Sequence, residues 1–123
     1  MTERTEIRKQ EEFVRLDWRL TGQGEIPCQV RRGLWPRQVG VTLSMGERKL
    51  QFFAHESCVE TERTPQGEER INGWVRVIVQ REKEDYLVVI FPGEPVNSGP
   101  TTEIPKNLIR GVKVPKSLIH QLS

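Results

Sequence analysis

Long apolar runs are missing from this chain. The longest, Tyr86–Phe91, has six residues, where a membrane-spanning helix needs about twenty, so no membrane partner is expected. The opening stretch MTERTEIRKQEE carries no apolar segment of the secretory kind, and a cytoplasmic location is expected. Cysteine and histidine are scarce: Cys28, Cys58, His55 and His120 are all there are. Without an export signal the two cysteines read as reduced thiols rather than a disulfide. A zinc site would need all four side chains to converge, and no paired-ligand spacing is present, so no metal or other cofactor is expected. Charge of one sign is lacking too. Nineteen basic and seventeen acidic residues leave +2, far from the balance of a dedicated polyanion binder.

Catalytic signatures are equally sparse. The glycine-rich dinucleotide pattern, the P-loop and the GxSxG elbow are absent. His55 and Cys58 stand three apart, the spacing of a base and a thiol nucleophile, but Glu56, Glu60 and Glu62 surround them. Neighbouring carboxylates raise a thiol pKa, whereas a nucleophilic cysteine needs it lowered. The chain is therefore read as a non-enzyme. An enzyme assembled from carboxylates on distant strands is the third reading.

What is present is strand periodicity. In Gly73–Pro92, Val75, Val77 and Val79 alternate with Arg76 and Gln80, and Tyr86–Phe91 follows as a run apolar on both faces. With a turn centred on Lys83 and Glu84, Val79 faces Val88, Val77 faces Ile90 and Ile78 faces Val89. A strand apolar on both faces should be covered on both sides, in the middle of a barrel or sandwich. Upstream, Val14, Leu16, Trp18 and Leu20 form one alternating row. Ile26, Cys28 and Val30 form a second, marked as an edge strand by Pro27. Val39, Val41 and Leu43 form a third, and Leu50, Phe52 and Ala54 a fourth. Thr21–Gly24 and Ser44–Glu47 are turns, and a bulge at His55–Ser57 precedes a short strand from Cys58 to Arg63. Thr64-Pro65-Gln66-Gly67 suits a type I turn. Trp74 is expected in the core. The fold class is all-β, a small antiparallel barrel or sandwich of about six to seven strands, in a meander that closes on itself.

Three segments follow. Residues 1–12 read as a frayed helix or a disordered lead, 13–92 as the β core, and 93–123 as a Pro/Gly-rich loop with a turn-helical tail packing on the core or on a partner. That tail holds a short repeat, Ile104-Pro105-Lys106-Asn107-Leu108-Ile109 against Val114-Pro115-Lys116-Ser117-Leu118-Ile119. Proline pre-sets φ for a first helical position, so each copy reads as one helical or 3₁₀ turn.

Charge is unevenly spread. Between Glu25 and Lys49 five basic residues face two acidic ones, residues 104–123 hold four basic and none acidic, and His55–Arg70 holds five glutamates against two arginines. The basic stretch contains Val30-Arg31-Arg32-Gly33-Leu34-Trp35-Pro36-Arg37, a loop broken by glycine and proline. Arginines beside an exposed aromatic supply phosphate contacts and a stacking surface, the means by which small β-barrels hold single strands. Arg31, Arg32, Trp35, Arg37, Arg48 and Lys49 form the candidate patch, with Lys113 and Lys116 adding to the field. In the competing reading Trp35 caps the core and the arginines are solvated or paired with the acidic side. The expected function is a binding module for single-stranded nucleic acid. The alternative is a protein-interaction or assembly module, acting on a protein partner or a second copy through the edge strand and the C-terminal tail. The signatures of cold-shock domains, swapped-hairpin transcription factors and ribosomal barrels are not met.

Overall fold

A computed structural model of the chain describes residues 12–93 and 101–118. The expectations for residues 1–11, most of the Pro/Gly-rich loop, Ile119 and His120 lie outside them. Along the chain come β1 (Phe13–Leu16), a single helical turn α1 (Trp18–Thr21), β2 (Gln23–Arg32), β3 (Gln38–Met45), β4 (Arg48–His55), β5 (Val59–Thr61), β6 (Ile71–Glu82), β7 (Tyr86–Ile90), β8 (Thr101–Pro105) and β9 (Arg110–Pro115). The protein is all-β, with nine strands in one antiparallel sheet that does not close into a ring.

The longest strands, β2 and β6, pair from Gln23↔Ile78 to Val30↔Ile71, and each divides its other edge between two partners. On β2, β9 takes Gly24 and Glu25 while β3 takes Gln29–Arg32. On β6, β5 takes Gly73–Val75 and β7 takes Ile78–Glu82. One end of the pair thus carries the order β1-β9-β2-β6-β7-β8, and the other carries β4-β3-β2-β6-β5. β2 is therefore an interior strand, contrary to the edge position its proline suggested. Pro27 falls in the gap between the β9 and β3 pairings, where a residue without a backbone N–H interrupts no ladder on that edge.

The inward rows match the alternation. Ile26, Cys28, Val30, Val39, Val41, Leu43, Leu50, Phe52 and Ala54 are all buried, in one cluster with Val75, Val77, Leu87, Val89, Phe91 and Ile104. Strands β4 and β7 share no ladder, yet the Phe52 and Phe91 rings lie 5.2 Å apart, so the sheet curls to bring its two ends over one core. Each such aliphatic or aromatic side chain stabilises the fold by about 1.5–3 kcal/mol on burial. Strand β7 is covered on both faces at Leu87, Val88 and Val89, as its composition requires.

Several local expectations are corrected. The β6–β7 register is Ile78↔Ile90 and Val79↔Val89, then Arg81↔Val88, because a bulge at Gln80 adds one residue to β6. The first row stops at Leu16. Asp17 accepts the Arg19 N–H at 2.8 Å and caps α1, which leaves Leu20 exposed. The turn expected at Thr64–Gly67 sits two residues later: the Glu69 N–H donates to the Gln66 carbonyl, and Gly67 takes φ 57°, so the turn is not type I with proline second. The segment after β4 is a 3₁₀ turn, Glu56–Cys58, rather than a bulge. The tail supplies the two strands beyond the expected count. Strand β8 pairs with β7, and β9 with β1 and β2; the two repeat copies end in 3₁₀ turns at Lys106–Leu108 and at 116–118. β-branched residues before each proline favour extension, so both structures coexist in one segment.

Candidate functional site

Cross-strand register places side chains on the outer face of the β4-β3-β2-β6 region in rows. Arg31, Gly40 and Phe53 form one row across β2, β3 and β4. Gly40 has no side chain, and the Arg31 stem lies across it: a Cβ there would meet Arg31 Nε at 3.0 Å. The guanidinium reaches the Phe53 ring, 5.4 Å from its centroid, and Phe53 remains 40% exposed. Gln38, Thr42, Ser44, Lys49, Gln51 and His55 share this face, and none of these positions is a carboxylate.

The β2–β3 loop rises at one end of it. Its backbone is pinned by Gln38, whose side-chain oxygen accepts the N–H groups of Leu34 (2.7 Å) and Trp35 (3.2 Å), while the Gly33 N–H donates to the Gln38 carbonyl at 2.8 Å. A side chain at Gly33 would collide with Gln38 at 2.7 Å, so the close approach needs glycine. Arg37 takes φ 64°, and its carbonyl accepts the Glu56 N–H at 2.8 Å, which ties the loop to the end of β4. Trp35 caps nothing: it is 70% exposed, beside exposed Leu34.

The expected patch is brought together in part. Arg31, Arg32, Trp35 and Arg37 cluster at the loop. Arg48 and Lys49 sit at the opposite end of the β3–β4 hairpin, seven residues or roughly 23 Å away at the usual strand rise. Lys49 faces outward in line with Phe53, whereas Arg48 turns to β8 and donates to Thr102 Oγ1 at 3.3 Å. Among the described residues none of these five cations is in an ion pair, while Arg15, Arg19, Arg63, Lys83, Lys106, Arg110 and Lys116 all are. Lys116 is neutralised by its pair with Glu12 at 2.9 Å, and Lys113, on β9, stacks on Phe13 of β1 and keeps its charge.

A second feature was not anticipated. Trp74, expected in the core, instead faces outward, since the inward positions beside it are Gly73 and Val75, and a groove of about 1030 Å³ lies over it. Arg110 lies on the indole, 3.6 Å from its centroid. The buried Glu25 carboxylate accepts from Arg110 Nε (2.9 Å) and Arg15 Nη1 (3.0 Å), and Glu60 accepts from Arg110 Nη2 (2.9 Å). Phase counted back from Val75 and Val77 puts Trp74 on the outer face, and that was the signal available. Its arginine partner, thirty-six residues away, was not readable.

The remaining candidate groups among the described residues are His55 and the two cysteines. His55 Nδ1 accepts the Ser57 N–H at 3.0 Å and caps the 3₁₀ turn. Burial pushes the Cys28 thiol up to about 12; Cys58 is half-buried, and the two are not bonded to each other. Among the described residues no group of three His, Cys, Asp or Glu side chains is placed to hold a metal ion, and no helix is long and apolar enough to cross a membrane. Comparison with protein-family models, with curated proteins and with solved structures finds no match to this chain.

Proposed function

We propose that the chain is a non-catalytic binding module for single-stranded nucleic acid, acting through the β2–β3 loop and the outer face of β2, β3 and β4. The observation that carries the reading is the exposed Trp35 on a pinned loop, flanked by Arg31, Arg32 and Arg37 with no ion pair among the described residues, above outward β3 and β4 positions that carry no carboxylate. Bases stack on Trp35 and Phe53, and the guanidiniums take phosphates. The loop's hydrogen bonds hold it ready in advance, which reduces the ordering cost on association. Both thiols are free, which fits a reducing cytoplasmic setting.

The test is fluorescence anisotropy with labelled single-stranded RNA, single-stranded DNA and duplex. Four phosphate contacts, from Arg31, Arg32, Arg37 and Lys49, give a salt slope near −2.8, so affinity should fall about 50-fold between 50 and 200 mM salt. Trp35→Ala should weaken binding by about 5- to 150-fold, the worth of one stacked base. Absence of binding at either salt refutes the proposal. Concentration-dependent self-association in its place would favour an assembly module, and binding to anionic vesicles a peripheral membrane role.

A further inference from the structure

From the same outer face we infer that the groove over Trp74 is a second subsite for the single strand, and that Gln29 and Asn72 select its bases. This rests on the nucleic-acid reading above. Gln51, Thr42, Gln29 and Asn72 form one row in register across β4, β3, β2 and β6. Gln51, Gln29 and Asn72 are exposed and Thr42 is buried, and the row runs from the Phe53 side of the face to the mouth of the groove. A primary amide presents both donor and acceptor, the pairing that the edge of an unstacked base requires.

Beyond the row, Arg110 lies flat on Trp74 and is held there by Glu25 and Glu60. A guanidinium fixed in its plane is a stacking surface for a base. At the groove wall Arg70 is exposed and, among the described residues, in no ion pair, so it is the cation available for a phosphate; Arg15, Arg63 and Arg110 are already paired. Phe53 and Trp74 are separated by three strand spacings and four residues of rise, roughly 19 Å. A strand that occupies both reaches beyond the loop cluster of Arg31, Arg32, Trp35 and Arg37.

The experiment is an anisotropy series with labelled homopolymers of U, C and A, about 3 to 12 nucleotides long, from just below the range a small β-barrel covers into its middle. The wild type should gain affinity as the strand lengthens past about four nucleotides. Arg70→Ala combined with Asn72→Ala should remove that gain, about 10-fold, while leaving the shortest oligomers within about twofold of wild type. Asn72→Ala alone should compress the preference among homopolymers. Both residues are exposed, and an unchanged thermal melt establishes that the variants fold. If the double variant binds long strands as the wild type does while Trp35→Ala still loses affinity, the loop site stands and the groove is no part of it. If no strand of any length binds the wild type, the parent reading fails, and this inference with it.

Discussion

Replacing Glu25 with glutamine removes the charge that holds the groove together while preserving its shape. The Glu25 side chain is 5% exposed, and its Oε1 accepts from two guanidiniums, Arg15 and Arg110, whose side chains are 35% and 27% exposed. Removing one partner of a fully buried pair costs about 3–5 kcal/mol, because a charge is stranded away from water. Here the stranded arginines keep Glu60 and partial access to solvent, so the expected loss is lower, about 2–3 kcal/mol. For a domain of this size that corresponds to a fall in Tm of roughly 10 °C. Glu60 binds the same two arginines but is 42% exposed, so Glu60→Gln should cost less than about 1 kcal/mol. Urea denaturation of wild type and both variants, at low and high salt, measures the difference, and the Glu25 effect should persist in salt since buried pairs are poorly screened. Equal losses below about 0.5 kcal/mol for the two variants would mean that water reaches Glu25 and that the network does not order the groove.

Two further outcomes follow from single groups. Hydrogen bonds from Arg63 and from the Gln66 N–H hold the Glu69 carboxyl at about 2, against an ordinary value of 4.5. Its ionised form is favoured in the fold, so its contribution to stability is present above pH 4.5 and lost as pH falls towards 2. NMR titration should show the low midpoint, with Arg63→Gln returning it upward, and a wild-type midpoint near 4.5 would contradict the pairing. At pH 8 an alkylating reagent should modify Cys58 first and reach buried Cys28 only on unfolding, so the Cys58→Ser protein should be unreactive while native. Rapid labelling of that variant would show that the β2 core opens locally.

Much of the β architecture was legible because a half-buried strand must alternate. The rows Ile26-Cys28-Val30, Val39-Val41-Leu43 and Leu50-Phe52-Ala54 each carry their burial in their own spacing. The candidate loop was legible for a related reason: glycine and proline interrupt the strands where arginines and a tryptophan accumulate. Whether Trp35 faced the core or the solvent was not legible, since that depends on Gln38 folding back to hold the loop outward. Pro27 misled because its local signal is a missing N–H, and an interior strand tolerates one where its partners leave a gap. The register of β6 and β7 shifted through a bulge that no residue type announces.

Local chemistry along the chain settled the all-β class, the core rows, the tail's 3₁₀ turns and the basic loop, because each depends on neighbours within a few residues. The pairing of β2 with β6, the return of the tail as β8 and β9, and the meeting of Arg110 with Trp74 and Glu25 depend on which distant surfaces bury one another best. Long-range contacts of that kind compete as whole arrangements. Spacing within any one segment carries no record of which arrangement wins.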